Sequence, residues 1–330
     1  MEDFDKLFDD IAGLKVAVIG DVMLDTYWWG KVERISPEAP VPVVMLDKKE
    51  QRLGGAGNVA LNTVSLGAKT ALFTVVGNDE DANLLAHILA KNQIDTSYLI
   101  KSEGRITTNK TRVMGRNQQM MRLDTEITTD ISAQEEQQLL QNLAAYIQTE
   151  QPSVAIFEDY NKGVLTEGLI GMAIALCQKH GVVTAVDPKR KNFFAYKNTD
   201  IFKPNLKEVK DGLNVLLEDV NEHCLNDIHQ QINAKLGHKT SLITLSEKGL
   251  FVQNADCSKI IPTHVRTIAD VSGAGDTVIA VASLVYAANK NILMAAEMAN
   301  LAGGLVCEEV GTVAINKDKL LRECKLVFNP

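Results

Sequence analysis

Asp270–Ser283 reads DVSGAGDTVIAVAS, a stretch that sets one carboxylate, Asp276, directly after Gly-Ala-Gly and directly before an apolar run. From Val278 to Tyr286 the residues are apolar almost all round, which predicts a buried helix rather than an amphipathic surface one. Asp276 then stands at the N-terminal edge of that helix. The first backbone N–H groups there lack internal partners and the dipole leaves partial positive charge, so this end attracts anions. Gly273 and Gly275 let the backbone come close to whatever lies in front of it. Asp276 is either a plain helix cap or a functional carboxylate beside an anion site. A cap has no need of two flanking glycines, which favours the second reading.

Outward from this helix, short apolar runs alternate with helical stretches. Strands are predicted at 15–21, 70–77, 153–159, 182–187, 201–205 and 241–246, and helices near 55–67, 80–92, 133–149, 166–180, 206–217 and 222–236. Strand followed by helix, repeated, means an α/β fold with a mainly parallel sheet covered on both faces. Several strands end in a polar residue or Gly, namely Asp21, Gly77, Asp159, Asp187, Asn205 and Ser246. Ligands gather at the carboxyl ends of such strands, so these positions become site candidates. Residues 27–46 and 105–123 have strand-like spacing without helices between, and prolines at 37, 40 and 42 suit edge or irregular strands. They are expected to form a small β lid on one domain spanning 1–330.

The formal net charge of -8 argues against a general nucleic-acid or anionic-membrane binder, so any basic site must be local. No apolar stretch is long enough to span a bilayer, and the acidic start MEDFDKLFDDIAG does not resemble a signal peptide. A cytoplasmic location is expected. Five scattered cysteines form no metal or disulfide framework, so a bound metal should be a hard cation held by oxygens.

Gly54–Asn62 reads GGAGNVALN and contains G-x-G-x-x-A, yet it does not follow a first strand as a dinucleotide fingerprint would. It reads better as a glycine-rich turn entering a helix at Asn58, close enough for a polyol to reach Asn58 and the backbone, or as a purely structural turn. In KPNLKE, Asn205 and Glu208 lie three positions apart at a helix start, where they either hold Mg²⁺ through waters or provide ordinary helix-start polarity. Lys110, Arg112, Arg116 and Arg122 cluster on the second lid segment. Strand alternation points Lys110 and Arg112 the same way, as a phosphate site or as scattered edge charges.

Taken in order, GGAGNVA, NLKE and DVSGAGDT resemble the ribokinase/PfkB family of carbohydrate kinases over nearly the whole chain, with D-x-x-G-A-G-D at 270–276 the most specific part. The resemblance implies a ribokinase-like three-layer αβα domain with a β-sheet lid. It also implies that Asp276 is the catalytic base and that Gly273, Ala274 and Gly275 form an anion hole for the transferring phosphoryl group. Such transfer needs an aligned nucleophile and neutralised charge, which a carboxylate and backbone amides supply. GDVMLDTYWWGKVERISPEAPVPVV, LGGAGNVALN and TRVMGRNQQMMRLD resemble the branch of the family that phosphorylates the anomeric hydroxyl of a heptose 7-phosphate. No H-x-G-H occurs, so the kinase half alone is expected of relatives that also carry a nucleotidyltransferase.

By the same resemblance Asp25, Gly55 and Asn58 bind the sugar, and Lys110, Arg112 and Lys162 meet its phosphate. Lys189, Asn205, Ser246, Gly249, Gly275 and Asn300 border ATP. Asn205 and Glu208 organise Mg²⁺, and Asp270 and Val271 adjoin a monovalent cation such as K⁺. The lid implies a homodimer. Two rival classes are a nicotinamide oxidoreductase, which explains only G-x-G-x-x-A, and a silent sugar-phosphate sensor, which has no need of Asp276. Ribokinase- or fructokinase-type activity is the alternative within the family.

Overall fold

The computed structural model describes residues 3–115, 118–217, 219–264 and 266–328. The chain enters through α1 (Phe4–Ala12) and β1 (Lys15–Gly20), runs out into a ribbon of β2 (Val22–Ile35) and β3 (Pro42–Gly55), and returns through α2 (Ala56–Ser65). β4 (Lys69–Gly77), α3 (Glu80–Lys91) and β5 (Leu99–Ser102) follow, and β6 (Asn109–Gly115) and β7 (Gln118–Thr125) rejoin the ribbon. Helix and strand then alternate through α4 (Ala133–Glu150), β8 (Val154–Glu158), α5 (Glu167–Lys179), β9 (Val183–Asp187), β10 (Ile201–Phe202) and α6 (Leu206–Leu213). α7 (Glu222–Leu236), β11 (Thr240–Thr244), β12 (Leu250–Gln253) and β13 (Ser258–Ile261) precede three closing helices, α8 (Ala274–Asn289), α9 (Ile292–Val306) and α10 (Lys317–Phe328).

The large sheet has the order β13-β12-β11-β10-β9-β8-β1-β4-β5, parallel from β11 to β5 and antiparallel only at the β12 and β13 edge. Its strands read as unbroken apolar runs because both faces are covered. Alternation along β1 shows this: Val16 and Val18 join the core shared with α1, α2, α8 and α9, while Ala17 and Ile19 join the core shared with α4, α5 and α7. Every residue from Asp276 to Val285 is buried, so α8 is the central helix of its layer, as its all-round apolar sequence predicts. Cutting Leu284 back to Ala there would cost about 2–5 kcal/mol.

The lid is a second sheet of order β3-β2-β6-β7. It is longer than the sequence suggests. The predicted segment 27–46 is only the outer part of a ribbon whose paired strands reach from Val22 to Gly55, so the separating DKKEQRL is itself strand. Pro37 and Pro40 fall in the connection between strands and Pro42 pairs at the far end, where no interior ladder bond is lost. α2 starts at Ala56, as the helix predicted near 55–67 requires, and is fed by an antiparallel strand. The predicted strand 201–205 contracts to Ile201–Phe202, and the helix at 206–217 stops at Leu213. Among the described residues no helix is long and apolar enough to cross a membrane.

Candidate active site

α8 begins on Gly273, which has φ 79° and offers no capping side chain. A Cβ at Gly273 would come within 2.7 Å of Asn58 Nδ2. The close approach has a purpose: Asn58 Nδ2 donates to Asp276 Oδ2 at 2.8 Å, joining residues 218 apart in sequence. The Tyr160 hydroxyl donates to Asp276 Oδ1 at 3.0 Å. Burial pushes the Asp276 carboxyl up to about 6, against the lowering effect of the Asn58 hydrogen bond and with the further push of Asp187. The result is a carboxylate aimed by two donors and poised to take a proton near neutral pH. Gly273, Ala274 and Gly275 are partly exposed where Asp276 is buried.

Tyr160 is held by Asp21 at the end of β1. The Asp21 carboxylate accepts from the N–H groups of Tyr160 at 2.8 Å, Lys162 at 2.9 Å and Val164 at 3.0 Å, which fixes the loop after β8. Gly55, with φ 57°, leaves the space a Cβ would take 2.4 Å from the Asp21 carbonyl. Two ammonium groups lie near the Tyr160 ring, Lys189 Nζ at 5.1 Å and Lys110 Nζ at 5.2 Å from its centroid.

Lys189 belongs to a buried charge cluster at the carboxyl ends of β8, β9 and β10. Its Nζ lies 2.5 Å from Glu208 Oε1 and 3.7 Å from Asp187 Oδ1. Lys203 Nζ donates to Asp187 Oδ2 at 2.7 Å, and a Cβ on Gly275 would lie 3.5 Å from that nitrogen. Burial works against both ammonium groups, yet Asp187 and Glu208 hold them above the ordinary lysine value. Glu158 completes the cluster: burial first, then Asp187 and Asp276, push its carboxyl well above the usual range. Asn205 and Glu208 form a reciprocal capping box, Glu208 N to Asn205 Oδ1 and Asn205 N to Glu208 Oε2, each 2.8 Å.

On the other flank Asp25 Oδ1 pairs with Arg112 Nη1 at 2.6 Å, and the Thr312 hydroxyl is 3.5 Å from Asp25 Oδ2. Lys110 sits beside Lys162 and Arg122; burial and the Lys162 charge lower its pKa. Lys162 Nζ pairs with Glu126 at 2.7 Å. Arg112 therefore already has a carboxylate partner. No ion pair involving Lys110 occurs among the described residues, and Arg116 lies outside them. Asp270 accepts from Ser272 N and Oγ and from Gly311 N, all at 2.9 Å, and Val271 next to it is exposed.

Ser246 (φ 55°) and Gly249 (φ 98°) shape the turn after β11, and Asn300 on α9 donates to the Pro262 carbonyl at 2.8 Å. Gly249 and Asn300 adjoin Pro262, and none of the three makes a described hydrogen bond to Asp276. The structure thus joins Asn58, Asp276 and Gly273 directly, Gly275 to the lysine cluster, and Lys189 to Glu208. Sequence reasoning missed Tyr160, Glu158, Lys203 and Thr312. Asp187 was flagged only as a polar strand end, and the register Glu158↔Asp187 is what brings these two carboxylates together.

The site combines a buried carboxylate at an uncapped helix start with buried lysines at the carboxyl edge of a parallel sheet, an arrangement suited to phosphoryl transfer. Residues 14–319 match the model of the pfkB family carbohydrate kinases. The chain is 37% identical to the bifunctional protein HldE of Geobacter sulfurreducens over 96% of its own length and 64% of that protein's. It is 40% identical to the protein of the same name from Methylobacillus flagellatus over 93% of its length and 62% of the relative's, so it spans somewhat under two thirds of these relatives. Phosphofructokinase-2 from Escherichia coli, solved in complex with potassium, superposes with a TM-score of 0.79 at 18% identity, covering 96% of this chain and 100% of that one. Ribokinase from Thermotoga maritima superposes with a TM-score of 0.68 at 16% identity, covering 94% and 98%. The chain belongs to the pfkB family of carbohydrate kinases, and its fold is ribokinase-like. It is a phosphotransferase acting on a sugar hydroxyl, in a family that uses ATP and a divalent metal.

Proposed function

We propose that this kinase transfers the γ-phosphate of ATP to the anomeric hydroxyl of D-glycero-D-manno-heptose 7-phosphate, giving the 1,7-bisphosphate used for nucleotide-activated heptose and lipopolysaccharide core synthesis. The observation that carries this reading is the surroundings of Tyr160, whose hydroxyl bonds the base while Lys110 and Lys189 each lie about 5 Å from its ring. Lys189 belongs to the cluster proposed to face ATP, and Lys110 to the basic lid strand, so both donor and acceptor are expected to carry phosphate. The resemblance of the lid segments to the heptose-phosphate branch supports the same choice.

Asp276 takes the proton of the acceptor hydroxyl, Asn58 and Tyr160 keep its oxygens aimed, and the amides of Gly273–Gly275 stabilise charge on the moving phosphoryl group. Asp25 and the backbone at Gly55 orient the sugar, Lys110 and Lys162 hold its phosphate, and Arg112 joins them by leaving Asp25. Ser246, Gly249 and Asn300 flank the nucleotide. Both oxygens of Glu208 are already hydrogen-bonded, so Asn205 and Glu208 fit a Mg²⁺ held through water better than a direct ligand set. Bound Mg²⁺ neutralises phosphate charge. A K⁺ beside Asp270 and Val271 and a cytoplasmic homodimer formed through the lid belong to the same proposal, with residues 1–330 acting as one kinase domain. Exposed Ile35, Met45, Leu46, Met121 and Leu123 on the lid support the dimer.

The test is ADP release with heptose 7-phosphate and with free heptose, the site of phosphorylation assigned by phosphorus NMR. Each charge-assisted contact is worth about 1.5–3 kcal/mol, so two of them predict a preference of about 10²- to 10⁴-fold in kcat/KM for the phosphorylated sugar. Lys110→Ala should remove about 10- to 10²-fold of it. Equal kcat/KM for both sugars in the unmodified enzyme would redirect the chain to ribokinase- or fructokinase-type substrates.

A further inference from the structure

We propose that Glu158 and Asp187, with Asp276 at the rim, form a directly coordinated divalent-cation site that fills before the nucleotide binds. Single ligand oxygens of the three residues all lie within 4.8 Å of one another. An ion reaching oxygen at about 2.1–2.4 Å spans that separation between opposed ligands. Glu158 is fully buried and neither of its carboxylate oxygens has a hydrogen-bond partner. Asp187 Oδ1 likewise has no hydrogen-bond partner, with Lys189 Nζ 3.7 Å away, and its other oxygen is taken by Lys203. Leaving a buried carboxylate without a partner costs several kcal/mol, so the cluster holds a proton or a cation.

Backbone register makes the two acids neighbours. Glu158 and Asp187 are paired at the ends of parallel strands β8 and β9, about 4.8 Å apart, and both project from the edge where ligands collect. Asp276 is the weaker ligand, since each of its oxygens already accepts a hydrogen bond. Charge fits a divalent ion. With all four carboxylates (Glu158, Asp187, Asp276, Glu208) ionised against two ammonium groups (Lys189, Lys203), two negative charges are left for the ion to balance. An all-oxygen donor set selects a hard cation such as Mg²⁺ or Mn²⁺. The site differs from the proposed Asn205 and Glu208 pair, whose oxygens are committed to the helix cap and to Lys189. Only the use of the ion rests on the kinase reading; its binding does not.

The experiment is Mn²⁺ titration of the nucleotide-free protein, followed by electron paramagnetic resonance of the free ion. One Mn²⁺ per chain is expected, bound at least tenfold more weakly by Glu158→Gln and retained, with a smaller loss of affinity, in Glu208→Gln. Glu158→Asp, with its shorter arm, should weaken binding as well and serves if the Gln variant does not keep the wild-type circular dichroism. No Mn²⁺ on the wild-type protein without nucleotide overturns the site, as does binding that survives both Glu158 changes. Loss in Glu208→Gln alone would move the ion to the other pair and also overturn it. Intact Mn²⁺ binding in a protein that turns over no sugar phosphate would fault the functional reading and leave this site standing.

Discussion

Helices α6 and α8 both begin at the edge of the sheet where the strands end, and they treat their first turns in opposite ways. α6 satisfies itself: Asn205 and Glu208 exchange side-chain and backbone hydrogen bonds, and Lys189 takes the remaining Glu208 oxygen. α8 starts on a left-handed glycine with no side-chain cap, and its one acid, Asp276, turns to Asn58 and Tyr160. A capped start puts its amides into fold stability, worth about 1 kcal/mol. An uncapped start keeps them for a charge that arrives from outside.

The largest expected effect tests the open end. Asp276→Asn should lower kcat by about 10²- to 10⁴-fold while sugar and ATP still bind, as steady-state kinetics and calorimetry would read. As the proposed base Asp276 works ionised, and its pKa is raised to about 6, so wild-type kcat should fall about tenfold per unit as pH drops below that value. That acid limb should vanish in the variant. A residual rate with an unchanged pH profile would break the contrast.

Gly273→Ala comes next. Its φ of 79° and the 2.7 Å approach to Asn58 Nδ2 leave no room for a methyl group, so Asn58 must move off the base. Misplacing the base by even a fraction of its hydrogen bond should cost on the order of 10²-fold in kcat. Wild-type turnover in this variant would mean that Asn58 does not aim Asp276.

The closed end gives smaller numbers. Glu208→Gln should shift the Mg²⁺ dependence of turnover to several-fold higher concentration, and coincident titration curves would return Glu208 to a purely structural role. Asn205→Ala should lower unfolding stability by about 0.5–2 kcal/mol in urea, with the loss located in the first turn of α6 by hydrogen exchange. If Asp276→Asn proved the more destabilising of the two, the division between a stabilising and a functional helix start would fail.

The sequence made the fold legible where burial is extreme. Strands such as TALFTVVG and SVAIFED are apolar on both faces, and α8 is apolar all round, so neither depends on context. The antiparallel β12 and β13 edge escaped because LFVQ and SKII are only four residues each, and α9 escaped because AAEMANLAGG lacks a clear stripe. Within the site, Asn58 and Asp276 were each marked by glycines, but nothing in either motif announces that they touch. Tyr160, Glu158 and Lys203 are ordinary strand-end residues in the sequence. Their convergence comes from register between β8 and β9 and from three backbone bonds to Asp21, and both are properties of pairing rather than of local pattern.

The ribbon of β2 and β3 is also a lever. Each arm has 14 residues, which at about 3.3 Å per residue makes it about 46 Å long. Near its fulcrum sit Asp25, across from Arg52, and Arg52 grips the carbonyls of Val310 and Thr312 at 2.7 and 3.3 Å. A rotation of about 5° at that pivot, about 33 Å from the tip, sweeps the tip through about 3 Å, while Asp25 itself barely moves. Leverage of this kind lets the far end of the ribbon travel a large distance without disturbing the Asp25–Arg112 pair near its base.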